Sequence, residues 1–311
     1  MRIINKKIIF MGTPVIASEY LNALINKDFN IQAVYTQPPK KQSRGLKVLK
    51  SPVHQLAEDK KIDVFSPNKF DDDNIKKLKD INPDLIIVVA YGKIIPKQIL
   101  ELPKFGCINV HLSILPRWRG ASPVEHALMS GDEETGISII KLIEELDAGP
   151  IINQEKVNVP NEINKLQLIN HLNVIGTKLL IQTIPLIFEN KIKFKYQNEN
   201  TITYAKKIST ESRKINFENT SKKIINHIRA FAPKPGAWFL LNQERIKILD
   251  AKLGTSKGSI SRILNDKFEI GCADGCIEPL ILQREGKNIM SKDDFLKGYK
   301  INLNDKINAQ L

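Results

Sequence analysis

The stretch Leu85-Ile86-Ile87-Val88-Val89-Ala90 decides the fold of this chain. Its unbroken apolar run predicts a short strand that is buried on both faces. Such strands lie at the centre of parallel sheets whose faces are covered by helices. We therefore expect an α/β domain, with its ligands beyond the carboxyl end of this strand, at Tyr91-Gly92.

Strand-like and helix-like segments alternate on both sides of this stretch. Strands are predicted at residues 7–11, 31–35, 63–65, 106–111, 137–141 and 150–159. Helices are predicted at residues 15–25, 52–60, 73–80, 123–129 and 163–189. The alternation predicts a Rossmann-like, mostly parallel sheet over residues 1–190.

The last third of the chain has a different pattern. Residues 191–207 carry five lysines, one glutamate and few helix signals, so we interpret them as a basic linker. A helix is predicted at 221–230, followed by short strands at 238–241, 245–253, 258–265, 268–272 and 277–283. Short strands separated by Gly and Asp-Gly turns are typical of a small β-barrel. We expect a first domain at 1–190, the linker at 191–207 and a second domain at 208–311.

The composition of the 311 residues is that of a soluble globular protein, with 42% hydrophobic and 26% charged residues. The apolar runs at 85–91 and 179–188 are too short or too interrupted to predict a membrane span. A strand-like run follows Met1-Arg2 almost at once, so we expect no targeting segment and a cytoplasmic location. The three cysteines have no ligand partners at metal-binding spacing, and we expect no metal.

The net charge of +13 is a second informative feature. Residues 211–311 contain 18 basic and 12 acidic residues, so the last third holds almost half of the surplus. A polyanionic partner would explain it, because cations that neutralise phosphates release counterions. A generally lysine-rich composition is the alternative, and charge alone leaves both open.

Candidate catalytic residues lie in the next predicted strand, in Cys107-Ile108-Asn109-Val110-His111. Asn109 and His111 are two apart, so both side chains point to one face of the strand. Asp147, in Leu146-Asp147-Ala148-Gly149, lies in a loop that can fold back onto them. An amide, an imidazole and a carboxylate suit acyl transfer. Taken alone, His111 would more often be structural and Asn109 a turn residue. No serine or cysteine is placed as a nucleophile, so we expect direct transfer between two bound substrates.

Motifs in the same order along nearly the whole chain carry a resemblance to a known family. They include Ile9-Phe10-Met11-Gly12-Thr13-Pro14, Val89-Ala90-Tyr91-Gly92, the segment from Asn109 to Gly120, Gly131-Asp132, Thr203-Tyr204-Ala205, Ile228-Arg229-Ala230-Phe231 and Asp274-Gly275. The chain resembles the 10-formyltetrahydrofolate-dependent formyltransferases. The resemblance implies an OB-like barrel for the C-terminal domain.

The resemblance also implies a reaction, in which the amino group of methionine on initiator tRNA attacks the formyl carbon of 10-formyltetrahydrofolate. Asn109 and His111 would stabilise the oxyanion, and either His111 or Asp147 would carry the proton. The implied folate-contacting residues are Ser113, Ile114, Leu115, Pro116, Val89 and Tyr91. Ile114 replaces the leucine that is usual in the family, and Leu112 replaces a residue that is often small.

The implied tRNA contacts are Arg44, Lys47, Lys207 and Arg229. Arg44 belongs to the long basic loop at residues 36–50, which in the family enters the acceptor stem; Ser43 stands where relatives commonly have glycine. We expect a monomer with no membrane attachment and no obligatory protein partner. Two alternatives are a formyltransferase for a small amine, such as glycinamide ribonucleotide or an amino-sugar nucleotide, and a non-catalytic RNA-binding protein. The basic loop and the basic C-terminal domain weigh against the first, and the intact catalytic trio weighs against the second.

Overall fold

The structure is a computed structural model that describes residues 5–42, 47–303 and 305–307. Its helices are α1 Val15–Asn26, α2 Pro52–Asp59, α3 Asp72–Ile81, α4 Lys97–Leu100, α5 Pro123–Ser130, α6 Lys165–Phe188, α7 Ser221–Phe231 and α8 Lys292–Gly298. Its first ten strands are β1 Ile8–Gly12, β2 Ile31–Tyr35, β3 Lys40–Gln42, β4 Lys47–Leu49, β5 Asp63–Phe65, β6 Leu85–Val89, β7 Cys107–His111, β8 Arg119–Gly120, β9 Glu134–Lys141 and β10 Ile151–Asn158. The remaining strands are β11 Tyr204–Ala205, β12 Ala237–Leu241, β13 Glu244–Leu253, β14 Ile270–Cys272, β15 Gly275–Arg284 and β16 Ile289–Ser291.

A seven-stranded sheet organises the first part of the chain, in the order β10-β9-β7-β6-β1-β2-β5. The five strands from β7 to β5 run parallel, and β9 runs antiparallel to β7. Every residue of β1 and β6 is buried, because helices cover both faces of the centre of such a sheet. The predicted mostly parallel sheet is confirmed, with element ends that differ from the predicted ones by at most three residues.

Capping residues set the ends of the covering helices. The Ser51 hydroxyl accepts from the backbone N–H of His54 at 3.0 Å and starts α2, with Pro52 in the first helical position. The Asp71 carboxylate does the same for α3 through the backbone N–H of Asn74 at 2.9 Å. That helix ends at Asn82 in the left-handed conformation, with φ 52°.

The chain forms two compact units. Unit 1 comprises residues 1–120, 135–157 and 169–204, and unit 2 comprises residues 121–134, 158–168 and 205–311. Unit 2 thus includes α5 and a segment that ends in the first turn of α6, two stretches that precede residue 190 in sequence. The boundaries predicted from sequence, 1–190, 191–207 and 208–311, stay a prediction about sequence domains.

Unit 2 contains a five-stranded antiparallel sheet, in the order β12-β13-β15-β14 with β16 on β15, that forms a half-barrel. Its core includes Phe217, Phe239, Phe268 and Phe295. The prediction of a strand at 258–265 was wrong, since only isolated bridges form there, at Arg262 and Ile263. Ser261 adopts a positive φ of 58°, which interrupts the extended backbone at that point.

The segment predicted as the basic loop 36–50 contains a small hairpin. Strands β3 and β4 pair antiparallel, with Lys40 opposite Leu49 and Gln42 opposite Lys47. At its base, the hydroxyls of Thr36 and Ser51 are 2.6 Å apart. The predicted loop was therefore wrong in part, because three-residue strands that are rich in lysine give no hydrophobic alternation to read.

Helix α6 is 24 residues long and, by length and composition alone, could cross a membrane. Its buried side chains include Leu172, Leu180 and Ile184, which pack in the protein interior. This is the pattern of a core helix of a globular protein. Among the described residues it is the one helix that meets the length and composition criterion.

Candidate active site

Strand β7 positions two of the predicted catalytic side chains. Val88 of β6 lies opposite Asn109, and Ser138 of β9 lies opposite His111, so β7 is held on both edges. His111 is the last residue of the strand and is buried. Because the two side chains are separated by one residue, they emerge on the same face near the carboxyl edge of the parallel strands.

Asp147 reaches this face from the loop between β9 and β10. Its carboxylate accepts from the backbone N–H of Gly120 at 2.8 Å and from the Asn109 amide at 3.4 Å. The same carboxylate lies 3.5 Å from Nδ1 of His111. Asp147 is buried and has a left-handed φ of 49°, an unfavourable conformation for a residue with a Cβ. The structure thus brings Asn109, His111 and Asp147 together as predicted, while their catalytic role stays a prediction.

The loop around Asp147 is tightly folded. A Cβ on Gly149 would come within 1.7 Å of the Lys141 carbonyl oxygen, so only glycine fits where the loop returns to the sheet. The Leu142 backbone N–H donates to the Cys107 carbonyl at 2.8 Å, and that of Lys141 donates to the Pro150 carbonyl at 3.0 Å. These contacts fix both ends of the loop that carries the carboxylate.

The His111 ring lies between two acceptors. Its Nε2 lies 2.8 Å from the Trp118 carbonyl oxygen. A carbonyl oxygen only accepts, so Nε2 must carry the proton of this hydrogen bond. The opposite ring nitrogen, Nδ1, is then the one that can exchange a proton with Asp147 or with a molecule beside it.

The predicted folate-contacting residues follow β6 and β7. Ser113 is buried, and its hydroxyl donates to the Arg117 carbonyl at 2.6 Å. The side chains of Leu115, Val89 and Tyr91 are also buried, so a ligand would meet mainly their backbone. Burial raises the pKa of the Tyr91 phenol to about 12, which keeps it protonated at neutral pH. Ile114 and Pro116 are partly exposed and could offer apolar side-chain contacts.

Hydrogen bonds tie the carboxyl ends of three neighbouring strands together. The Thr13 hydroxyl, after β1, donates to the Tyr91 carbonyl, after β6, at 2.9 Å. The Gln37 amide, after β2, donates to the Tyr91 and Gly92 carbonyls at 3.0 and 3.2 Å. Gly92 has a positive φ of 75°, as glycine readily adopts. The ligand is expected at this edge, beyond the carboxyl ends of the parallel strands.

Sequence reasoning missed three groups around Asp147. The backbone N–H of Gly120 gives its carboxylate the shortest hydrogen bond. Gln197 donates to the backbone carbonyls of Asp147 and Gly149 at 2.7 and 2.8 Å. Arg119 is buried and donates to the Gln197 side chain at 3.0 Å. Arg119 lies in the catalytic segment and could have been singled out as a charge there, whereas Gln197 gave no signal within the lysine-rich segment.

The predicted tRNA contacts have different environments. Arg44 lies outside the described residues, and Lys47 belongs to β4. Lys207 is exposed. Arg229 is buried, and its guanidinium donates to Asn226 at 2.9 Å and to the Pro160 and Asn161 carbonyls at 3.0 and 2.8 Å. Burial lowers its pKa, and these hydrogen-bond partners all belong to unit 2. The role of Arg229 as a tRNA contact stays a prediction.

Across residues 5–42, 47–303 and 305–307, no group of three His, Cys, Asp or Glu side chains could hold a metal ion. Cys107, Cys272 and Cys276 are buried free thiols. Burial raises the pKa of Cys107 and of Cys272 to about 12, so neither thiol forms a ready thiolate nucleophile at neutral pH.

Two family models match the chain. The description "Formyl transferase" matches residues 6–184, and "Formyl transferase, C-terminal domain" matches residues 207–300. A solved structure of WlaRD, a sugar 3N-formyl transferase in the presence of dTDP and 5-N-formyl-THF, has a TM-score of 0.65 and 21% identity. It covers 91% of this chain and 99% of its own, and it shows the shared fold. Fold and site together define a formyl transferase.

Two relatives that match over nearly their full length have a more specific name within this class. The methionyl-tRNA formyltransferase of Pelagibacter ubique is 41% identical over 300 residues, which is 96% of this chain and 97% of that protein. The methionyl-tRNA formyltransferase of a Wolbachia species from Drosophila simulans is 40% identical over 94% of this chain and 97% of that protein. The chain belongs to the formyl transferase family, and its full-length relatives are methionyl-tRNA formyltransferases.

Proposed function

We propose that this enzyme transfers the formyl group of 10-formyltetrahydrofolate to the amino group of methionine on initiator Met-tRNA, giving formylmethionyl-tRNA for translation initiation. The observation that carries the proposal is the convergence of Asn109 and His111 on the buried carboxylate of Asp147, at 3.4 and 3.5 Å. Full-length identity to methionyl-tRNA formyltransferases supports the choice of acceptor.

The site can stabilise the charge that the reaction creates. Attack by the amine turns the formyl carbon tetrahedral and places a negative charge on its oxygen. The Asn109 amide has two N–H donors, and one of them points to Asp147. The other is available for the oxyanion, and such a donor accelerates acyl transfer because it acts on charge that exists only in the transition state.

A proton must leave the attacking nitrogen and reach N10 of the folate. Nε2 of His111 already donates to the Trp118 carbonyl, so the imidazole exchanges protons through Nδ1, the atom that faces Asp147. In this arrangement Asp147, or a water that it holds, relays the proton, and His111 supplies or receives it. No nucleophilic side chain is needed, because the formyl group passes directly from folate nitrogen to amine nitrogen.

A cationic groove in unit 2 suits the phosphates of a tRNA acceptor. The groove has a volume of about 780 Å³, and its basic lining residues are Arg213, Lys234, Arg245, Lys247, Arg284 and Lys287. Burial, together with the charges of Arg213 and Arg245, lowers the pKa of Lys247, so the groove favours an anion. The Arg245 guanidinium stacks 4.4 Å from the Trp238 ring, and its Nε has no hydrogen-bond partner within the described part of the chain.

The hairpin of β3 and β4 is the second proposed tRNA contact. Strands β3 and β4 follow β2, whose carboxyl end belongs to the edge where ligands of such sheets bind. Arg44, which lies outside the described residues, is proposed as a contact on the basis of the sequence. We also propose that the enzyme acts in the cytoplasm as a monomer. The second candidate acceptor is a small amine. The chain is 21% identical to the sugar formyl transferase and 41% identical to the Pelagibacter methionyl-tRNA formyltransferase, so the comparison supports tRNA more strongly as the acceptor.

One assay decides between the acceptors. The protein is given 10-formyltetrahydrofolate and charged initiator Met-tRNA, with glycinamide ribonucleotide and a dTDP-amino sugar as competing acceptors. We expect formylation of the tRNA and no inhibition by either small amine. Formylation of a small amine with a comparable kcat/KM would overturn the assignment of the acceptor, while leaving the transfer chemistry in place.

A further inference from the structure

The segment at residues 195–203 forms a strap across the back of the candidate active site, although the sequence suggests a linker there. At one end, Lys195 and Ile151 exchange backbone hydrogen bonds of 2.8 and 2.9 Å. At the other end, the Thr203 carbonyl accepts from the Arg119 N–H at 2.9 Å, and the Thr203 hydroxyl accepts from the Trp118 N–H at 2.9 Å. The strap therefore joins the start of β10 to the residues that follow the proposed folate loop.

Gln197 lies between these two ends and contacts the loop that carries the carboxylate. Both hydrogens of its amide point at backbone carbonyls, those of Asp147 and Gly149, at 2.7 and 2.8 Å. Its amide oxygen accepts from Nε of Arg119 at 3.0 Å. Both amide hydrogens and the amide oxygen of Gln197 therefore have hydrogen-bond partners. The amide orientation is fixed by this pattern, because an inverted amide would place its NH₂ against the guanidinium.

Arg119 completes the arrangement. Its guanidinium is buried, and Nη1 lies 3.2 Å from the carboxylate of Glu145, two residues before Asp147. Its backbone follows Trp118, whose carbonyl receives the His111 hydrogen bond. One buried cation therefore spans the Asp147 loop and the strap, while its own backbone belongs to the segment that anchors the imidazole.

We propose that Gln197 and Arg119 are positioning residues, which hold Asp147 in the left-handed conformation that directs its carboxylate toward Asn109 and His111. Aspartate tolerates this conformation better than most residues but less well than glycine, so contacts on both sides of Asp147 favour it. Gln197 supplies the two donors that fix the loop backbone on either side of Ala148. The inference rests on the proposed function, since it concerns turnover at that site.

The isosteric change Gln197→Glu keeps the shape and the acceptor for Arg119 but replaces the amide NH₂ by an oxygen, so it removes both donors and adds a negative charge. Gln197→Met removes the donors without adding a charge. We expect kcat for formyl transfer to fall about ten- to a hundred-fold with KM for folate and tRNA nearly unchanged, since a misplaced reacting group lowers the rate without loosening binding. Gln197→Met, which keeps only the length, should do the same. The control is Asn153→Asp on β10, an amide that donates to Thr183 at 3.0 Å and contacts none of the three reacting side chains.

Two further readouts separate positioning from a general loss of structure. In an Asp147→Asn background, Gln197→Glu should cost less than about two-fold more, because residues that act through one another are not additive. A full additional loss, a raised KM with unchanged kcat, or a kcat within two-fold of the parent would each overturn the proposal.

Hydrogen exchange tests the strap without reference to any acceptor. Backbone amides of residues 142–149 should exchange faster in Gln197→Glu and Arg119→Lys than in the parent, and not in Asn153→Asp, because the loop opens locally when its partners are lost. Unchanged exchange in the first two variants would refute the positioning role even if the parent formylates tRNA. Faster exchange in the two variants, combined with a parent that fails to formylate tRNA, would leave the strap in place and overturn only the proposed function.

Discussion

Two buried carboxylates, one in each unit, show how differently the same group can be used. Glu269 in unit 2 accepts from the backbone N–H groups of Thr255 and Ser256, both at 3.0 Å, and from the Asn265 amide at 2.9 Å. Asp147 in unit 1 has one short partner, the Gly120 N–H at 2.8 Å, and two longer approaches at 3.4 and 3.5 Å.

The difference distinguishes a structural carboxylate from a candidate catalytic one. Burial alone would raise the pKa of Glu269, but hydrogen bonds from Ser256, Thr255 and Asn265 lower it to about 2. Its short, neutral partners hold the ion and leave it little reason to exchange a proton. The longer contacts of Asp147 include the imidazole of His111. A saturated carboxylate stabilises the fold, whereas an unsaturated one beside histidine suits proton transfer.

The largest expected effect is the loss of turnover at the unsaturated carboxylate. Asp147→Asn keeps the shape of the side chain but removes the charge, and we expect kcat to fall about 10²–10³-fold, as for loss of one transition-state contact. The kcat of Asn109→Ala and of His111→Ala should fall by a similar factor, with the affinity for tRNA nearly intact. The measurement is steady-state formyl transfer, with Glu144→Gln on the same loop as control. Near-parent turnover in any of the three would remove that residue from the catalytic set.

A change at Glu269, the saturated carboxylate, should affect stability and not turnover. Glu269→Gln should lower the free energy of unfolding by about 3 kcal/mol at pH 7, since one pKa unit corresponds to about 1.4 kcal/mol. The kcat of the folded protein should not change. Chemical denaturation beside Asp266→Asn, an exposed residue nearby, gives the measurement.

The pH dependence of this stability gap has a definite sign. The folded-state pKa of Glu269 lies below its ordinary value of 4.5, so its contribution is complete above that value and disappears as pH falls toward about 2. The parent should therefore approach the stability of Glu269→Gln between pH 5 and pH 2. A gap that stays constant over this range would show that shape and not charge accounts for it.

An intermediate effect is expected at Arg44, a residue outside the described part of the chain. Arg44→Ala should lower kcat/KM for tRNA about ten-fold or more, because a charge-assisted hydrogen bond is lost, while folate affinity stays unchanged. Arg44→Lys should not restore activity if the planar guanidinium makes an oriented contact. Parent-like formylation by both variants would assign the hairpin to the solvent-facing surface.

The smallest effect is expected in the cationic groove of unit 2. Lys247→Ala and Lys287→Ala should each raise KM for tRNA a few-fold and reduce the slope of log KM against log salt by about one, because each removes one phosphate partner. The kcat should be unchanged, which keeps binding in unit 2 distinct from chemistry in unit 1. Lys267→Ala, exposed and not among the groove-lining residues, is the control. An unchanged salt slope would exclude the groove from the tRNA interface.

The sequence could predict the central sheet because its signals are local. Leu85 to Val89 is apolar throughout and forms a fully buried strand, and the two-residue spacing of Asn109 and His111 places both on one face. For Asp147 the sequence predicts only a loop that can fold back onto them, and the family resemblance supports that pairing. Strands β3 and β4 were missed because lysines obscure their alternation, and the strand at 258–265 was predicted where Ser261 turns the backbone away.

The rest of the site depends on long-range contacts that leave no mark in the sequence. Gly120 acts through its backbone N–H, which every residue except proline has. Gln197 lies 50 residues after Asp147 in a segment whose lysines suggested a linker. Only the folded chain shows that this glutamine contacts the carbonyls beside the candidate catalytic carboxylate.

The position of the strap in the sequence determines when, during translation, the residues around Asp147 are all present. The ribosome delivers Asn109, His111 and Asp147 well before Gln197 and Thr203, and a nascent protein begins to fold from its first residues onward. A growing chain that ends before residue 197 contains the strands of the seven-stranded sheet and all three candidate catalytic residues, yet it lacks the amide that contacts the carbonyls of Asp147 and Gly149. The candidate active site therefore has all of its described contacts only after translation has passed Thr203, about two thirds of the way along the 311 residues.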